Sequence, residues 1–171
     1  NQVCGTSFCE EGGNVRLAQA PAAGRLVITE IMANPDGADS GKEFVEIYNN
    51  GSEAFDLNGL TLINRRDSAT DDYSLRADGT PSACIPVPGN SYVLIATSAN
   101  SSENGGLPSI SALFSGSLSN SHSDSGNTEP LFVALYLGDT LLDEAPYAKP
   151  ADGKAFQLGV GVLDAQGNDV L

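Results

Sequence analysis

Residues 26–62 read LVITEIMANPDGADSGKEFVEIYNNGSEAFDLNGLTL, and they restrict the fold more than any other stretch. Two strand-like runs, Leu26–Ala33 and Glu43–Asn49, are rich in Val, Ile, Phe, Tyr and Thr. A shorter run, Ala54–Leu57, passes through Asn58-Gly59 into Leu60–Asn64. Gly, Asp, Asn and Ser fill the joins. β-branched and aromatic residues suit a pleated, half-buried surface, and the joining residues suit tight turns. The pattern predicts consecutive β-strands and leaves no room for a helix of useful length.

The rest of the chain continues this pattern. Leu26, Ile28, Glu30 and Met32 share one parity in the first long run, and Val27, Thr29 and Ile31 the other. Both faces are mostly apolar, which predicts a central strand. After Leu60–Asn64 comes a polar excursion, Arg65–Asp72, then a short run Tyr73–Leu75 and a stiff extended piece, Cys84–Gly89. Ser91–Thr97 is continuously apolar and belongs in the middle of a sandwich. Short runs follow at Ser109–Phe114 and Ser117–Ser119, separated and followed by the Ser/Asn/Gly loops Ser98–Pro108 and Asn120–Thr128. Leu131–Leu137, Gly138-Asp139 and Thr140–Asp143 read as a hairpin with a two-residue turn, and Pro146 and Pro150 bracket an irregular link. Lys154–Leu163 alternates, with Phe156, Leu158, Val160 and Val162 on one side. No apolar run approaches the ~20 residues needed to span a bilayer.

Several of these pieces resemble the lamin tail domain, an immunoglobulin-like β-sandwich, in its bacterial extracellular form. They are Ile28-Thr29-Glu30-Ile31-Met32 with Asn34-Pro35, Glu43–Asn49, and Asp56-Leu57-Asn58-Gly59-Leu60-Thr61-Leu62. Val87–Ala96 looks like that family's turn into a central strand, and Leu118-Ser119-Asn120-Ser121 like its short LSNS segment. The resemblance covers residues 25–160 and implies an all-β, immunoglobulin-like sandwich. The expected organisation is an N-terminal arm and linker over residues 1–24, a sandwich over 25–163 and a C-terminal tail over 164–171. Within the first arm, Asn14–Leu17 is a strand candidate carrying Val15 and Leu17 on one side.

The formal charge is −14 with a pI near 4.1, and the one adjacent basic pair, Arg65-Arg66, is followed by Asp67. Such a surface repels phosphate backbones, so no nucleic-acid partner is expected. The chain starts at Asn1 and shows no secretory signal, so either a leader was removed or this is a fragment, and a removed leader is the commoner history for such a composition. The three cysteines, Cys4, Cys9 and Cys84, point to an oxidising, extracellular compartment. An odd count leaves a free thiol, an intermolecular bridge, or a partner on a missing segment. Cys4 and Cys9 can close the loop Gly5–Phe8, or one of them can staple the arm to Cys84.

Candidate chemistry is sparse. Glu30 and Glu46 form a possible carboxylate pair, but both lie mid-strand. The plainer reading is that they cap backbone N–H groups or pair with Arg25 or Lys42. His122, flanked by Ser119, Ser121, Ser123 and Asp124, lacks a nucleophile-elbow pattern and reads as a solvated loop residue. The acidic loops Asp36/Asp39/Glu43, Asp67/Asp71/Asp72 and Asp124/Asn127/Glu129 are candidate calcium sites, though none has EF-hand spacing. Calcium is the one cofactor considered. Asn50-Gly51-Ser52 and Asn100-Ser101-Ser102 are glycosylation triplets.

These features imply a non-enzymatic, extracellular or cell-surface structural or adhesive module. It would assemble with other copies, or with surface proteins, through strand-adding arms. The assembly residues are Val15, Leu17, Phe156, Leu158, Val160 and Val162, with a cysteine bridge as lock. Head-to-tail repetition of such a contact would give a fibre. The alternative is a non-catalytic, ligand-binding accessory domain of a larger secreted hydrolase or nuclease, since lamin-tail domains look like frequent companions of such enzymes.

Overall fold

The computed structural model describes residues 7–123 and 126–159. Among them there is no helix, hence none long and apolar enough to cross a membrane. The described residues form thirteen strands: β1 (Phe8–Glu11), β2 (Asn14–Leu17), β3 (Leu26–Met32), β4 (Phe44–Asn49), β5 (Phe55–Asp56), β6 (Leu60–Arg66), β7 (Ala69–Ser74), β8 (Pro86–Val87), β9 (Tyr92–Ala96), β10 (Ala112–Leu113), β11 (Leu131–Leu137), β12 (Thr140–Tyr147) and β13 (Phe156–Gln157). One sheet runs β10-β9-β4-β3-β13 and the other β12-β11-β6-β7. Two-stranded pairs, β1-β2 and β5-β8, lie outside them.

The two sheets enclose one core. Ile28, Ile31, Val45, Ile47 and Ile95 come from the first sheet; Leu60, Leu62, Leu131, Val133 and Leu135 come from the second. Burial of this apolar surface, at about 25 cal/mol per Å², drives the layers together. Polar contacts seal both flanks. On one side Arg76, just past β7, exchanges backbone hydrogen bonds with Leu113 of β10 at 3.0 and 2.7 Å. On the other, the Ile28 N–H donates to Asp143 Oδ2 at 2.7 Å, and the Gly24 N–H donates to the Leu142 carbonyl at 2.9 Å.

Four differences from the sequence reading have physical causes. Strict alternation in β3 fails because the register shifts between Ile28 and Glu30, a bulge centred on Thr29. Leu26, Ile28, Ile31 and Ala33 therefore all join the core, while Glu30 and Met32 are left half-exposed. The polar excursion Arg65–Asp72 is instead a hairpin: β6 runs to Arg66, and β7 pairs back from Ala69 through a turn where Asp67 takes φ 49°. Its polarity marks an exposed outer strand. Pro146 is inside β12, opposite Phe132; β12 is an edge strand, so its missing N–H breaks no ladder. Residues 1–24 hold a hairpin as well as a linker, because Phe8–Glu11 pairs with the expected strand Asn14–Leu17.

Candidate functional site

The N-terminal hairpin is built by its turn and its alternation. Gly12 and Gly13 both take positive φ, 58° and 81°, as the tightest hairpin turns require. Phe8 faces Leu17, Cys9 faces Arg16 and Glu10 faces Val15. Side chains alternate, so Cys9, Glu11, Asn14 and Arg16 share the inner face and Phe8, Glu10, Val15 and Leu17 the outer one.

The inner face is fastened to the sandwich. Cys9, 2 % exposed, is disulfide-bonded to Cys84, 75 residues away. Of the pairings left open by the sequence, the structure thus uses Cys9 with Cys84; Cys4 lies outside the described residues. The Arg16 fork donates to both oxygens of Asp56, at 2.7 and 3.0 Å, and to Glu11 at 2.7 Å. Burial pushes the Asp56 carboxyl up, but Arg16 and the Gln19 N–H more than offset this and hold it below its ordinary value. The Glu10 N–H donates to the Ser82 carbonyl at 2.7 Å, and the Cys84 N–H donates to the Glu10 carbonyl at 2.9 Å.

The outer face is left in solvent. Phe8, Val15 and Leu17 are 64 %, 67 % and 52 % exposed. Among the described residues only Tyr92 and Leu141 are other large apolar side chains exposed to this degree. Three such residues thus stand together on the exposed face of a hairpin whose other face is fastened to the sandwich. Val15 and Leu17 are the residues that the sequence pattern singles out here; Phe8, which alternates with Cys9 and Glu10, shares their exposed face.

The C-terminal assembly candidates are placed differently. Phe156 pairs with Ile31, Gln157 with Glu30, and the Leu158 N–H donates to the Thr29 carbonyl at 2.8 Å. This segment completes its own sheet. Val160 and Val162 lie outside the described residues.

A second feature is a cleft of about 520 Å³ bounded by Asp39, Glu43, Glu103, Thr97, Phe114 and Ser117 among others. Glu43 is only 2 % exposed. Its Oε1 accepts from the Ser117 hydroxyl at 3.0 Å and the Leu118 N–H at 2.9 Å. Burial pushes its carboxyl up to about 7, against those two hydrogen bonds and with help from Asp39. Glu43 thereby tethers the loop after β10, where Tyr147 Oη donates to the Ser119 carbonyl at 2.7 Å and Asn64 Oδ1 accepts from the Ser119 N–H at 2.9 Å.

The remaining candidates take structural partners. Glu46 and Glu30 are cross-strand neighbours, but Glu46 accepts from the Thr29 hydroxyl at 2.8 Å and Glu30 from the Gln157 amide at 2.9 Å. Of the two expected basic partners, Lys42 donates its Nζ to the Asp36 carbonyl at 2.7 Å instead. His122 is not a solvated loop residue. Its side chain is 10 % exposed and Nδ1 sits 2.7 Å from Asp67 Oδ1. Asp67 also accepts from the Ser123 N–H at 2.9 Å and from the Asn127 amide. The Ser123 N–H foremost, then His122, holds the Asp67 carboxyl below its ordinary value. Asp124 lies outside the described residues.

Among the described residues, no three carboxylates of the calcium candidates lie within 4.8 Å of one another. Asp39 accepts from the Asn120 amide at 3.0 Å and Asp71 from the Asn64 amide at 3.3 Å; Asp72 is exposed on β7. Among the described residues, the single group of three ligand types within 4.8 Å is Cys9, Cys84 and Asp56, and both of its sulfurs are spent in the disulfide. In the glycosylation triplets, the Asn50 amide donates to the Gly24 carbonyl at 2.9 Å, whereas the exposed Asn100 accepts at its Oδ1 from the Ser102 N–H at 3.1 Å.

Two facing antiparallel-rich sheets with loops at their ends define an immunoglobulin-like sandwich. The sequence matches the family described as Lamin Tail Domain over residues 19–149, and the chain belongs to that family. No curated protein matches it. The matched segment begins at residue 19, just after β2 ends at Leu17.

Proposed function

We propose that this chain is a non-catalytic, extracellular or cell-surface module that works by presenting its N-terminal hairpin to other proteins. The observation that carries this reading is the two-sided hairpin. One face is fastened by Cys9–Cys84 and Arg16–Asp56, while Phe8, Val15 and Leu17 stand in water. A disulfide persists in oxidising compartments, which supports placement outside the cell. The acidic surface, −14 in all, supports protein partners over nucleic acid.

The test places a photo-crosslinking amino acid at Val15 and labels intact producing cells with an impermeant antibody. Surface labelling, with adducts from position 15 to a second copy or to another surface protein, is expected. Confinement to the cell interior, or no adduct from position 15 while a buried control position behaves identically, would refute the reading.

A further inference from the structure

From the cleft around Glu43 we infer that the sandwich carries a second binding site, for the guanidinium group of an arginine side chain on a partner polypeptide. No residue of the N-terminal hairpin lines this cleft, so the inference stands apart from the hairpin reading.

Glu43 singles the cleft out. It is 2 % exposed, immediately before β4, and both of its protein donors, the Ser117 hydroxyl and the Leu118 N–H, meet Oε1. Among the described residues nothing donates to Oε2, and that oxygen is not sealed in, so it opens on the cleft that Glu43 lines. A carboxylate set this deep is normally paired with a cation. No Lys or Arg lines the cleft, and the adjacent Lys42 spends its Nζ on the Asp36 carbonyl.

Two further carboxylates on the cleft repeat the arrangement. Asp39 Oδ2 accepts from the Asn120 amide at 3.0 Å, and Glu103 Oε2 accepts from the Ser98 hydroxyl at 2.9 Å. Among the described residues nothing donates to Asp39 Oδ1 or Glu103 Oε1. Each carboxylate is thus oriented by the protein through one oxygen and offers the other.

Spacing selects the cation. Asp39, Glu43 and Glu103 do not bring one oxygen each within 4.8 Å of one another. Three oxygens around one calcium ion, each ~2.4 Å from it, lie at most ~4.8 Å apart. Acceptors around one ammonium nitrogen, each ~2.8 Å from it, lie within ~4.6 Å. A guanidinium sends its five N–H donors outward along three edges of a plane, and acceptors on different edges stand ~6–7 Å apart. The volume, about 520 Å³, is that of a site for a side chain of this size.

Titration of Glu43 supplies a signature. Its carboxyl, raised by burial to about 7, ionises fully beside a bound cation, so binding releases a proton and strengthens as pH rises through 7. The groups facing it are Asp39 on its own loop, Glu103 after β9, Tyr73 of β7 and Tyr147 of β12. Burial raises both tyrosines above their ordinary value, and they stay neutral between pH 6 and 8.

The experiment titrates the full chain, labelled with ¹⁵N, with Nα-acetyl-arginine amide and follows the backbone amide signals. Shifts centred on Ser117 and Leu118 are expected at pH 7.5. The lysine counterpart should bind roughly tenfold more weakly, and the neutral citrulline counterpart should not bind. Free arginine, whose α-carboxylate the acidic surface repels, should bind more weakly than the capped form. Affinity should rise at least roughly threefold from pH 6 to 8. Glu43→Gln should lose roughly tenfold and its pH slope, whereas Glu103→Gln, at an exposed position, should lose roughly threefold and keep the slope. No shift at Leu118, equal binding of citrulline or lysine, tighter binding of free arginine or of calcium chloride, or an unchanged affinity in Glu43→Gln would overturn the inference. Each of these outcomes leaves the hairpin reading untouched, because cross-linking from position 15 tests that separately.

Discussion

Glu43 should invert the usual response of an acidic protein to acid between pH 5 and 8. Its carboxyl is raised from 4.5 to about 7 by burial, so the folded state holds a proton that the unfolded state releases. A raised pKa contributes stability that is fully present below 4.5 and lost as pH climbs through 7. At about 1.4 kcal/mol per pH unit, the loss approaches ~3 kcal/mol, and solvent in the open cleft reduces it to about 1–3 kcal/mol. Glu43→Gln keeps an oxygen to accept from Ser117 and Leu118 but cannot ionise. Urea unfolding at pH 5, 6, 7 and 8 reads the effect. With an m-value of about 2 kcal/mol/M, the variant's midpoint at pH 8 should lie about 0.5–1.5 M above the native one. At pH 5 the two should nearly coincide. Because both proteins carry the same remaining charges, their difference isolates this one group. A native protein no less stable than Glu43→Gln at pH 8, or a difference that does not change with pH, would refute the reasoning.

Three other outcomes follow from the same structure. Cys9→Ser with Cys84→Ser opens a loop of 75 residues and should cost about 2–4 kcal/mol in urea unfolding, with new proteolysis between residues 7 and 20. Asn49 is fully buried and its amide donates to the carbonyls of Glu53, Val87 and Pro88, so Asn49→Ala should cost about 2–4 kcal/mol by the same assay. Asp56→Asn removes the anion that holds Arg16; because the Asp56 pKa is lowered, the native advantage should be full at pH 6 and shrink as pH falls below 3.8.

The sandwich was legible because its strands announce themselves through apolar alternation and its turns through Gly, Asn and Asp. Leu26–Met32 and Phe44–Asn49 are found within a residue of their sequence limits. What escaped was what depends on distant partners. The bulge at Thr29 that turns Glu30 outward is set by cross-strand register with β4, which local parity does not record. The outer strand β7 reads ATDDYS, with no apolar period, because all of it but Tyr73 stands exposed. Glu43 looked like one more loop acid; it is buried, and its hydrogen-bond partners Ser117 and Leu118 lie 74 and 75 positions away. His122 meets Asp67 across 55 residues, a pairing no short motif encodes. The hairpin lay half in view, because Val15 and Leu17 alternate while Gly12-Gly13 hides the turn among other glycines.

The functional account stands on a hairpin fastened to the sandwich with its apolar face outward. Peptide mapping of the unreduced protein tests that fastening directly. The account predicts a peptide pair joining Cys9 to Cys84 in every preparation, monomeric or associated. A map that joins Cys4 to Cys9, or Cys4 to Cys84 within one chain, would contradict it.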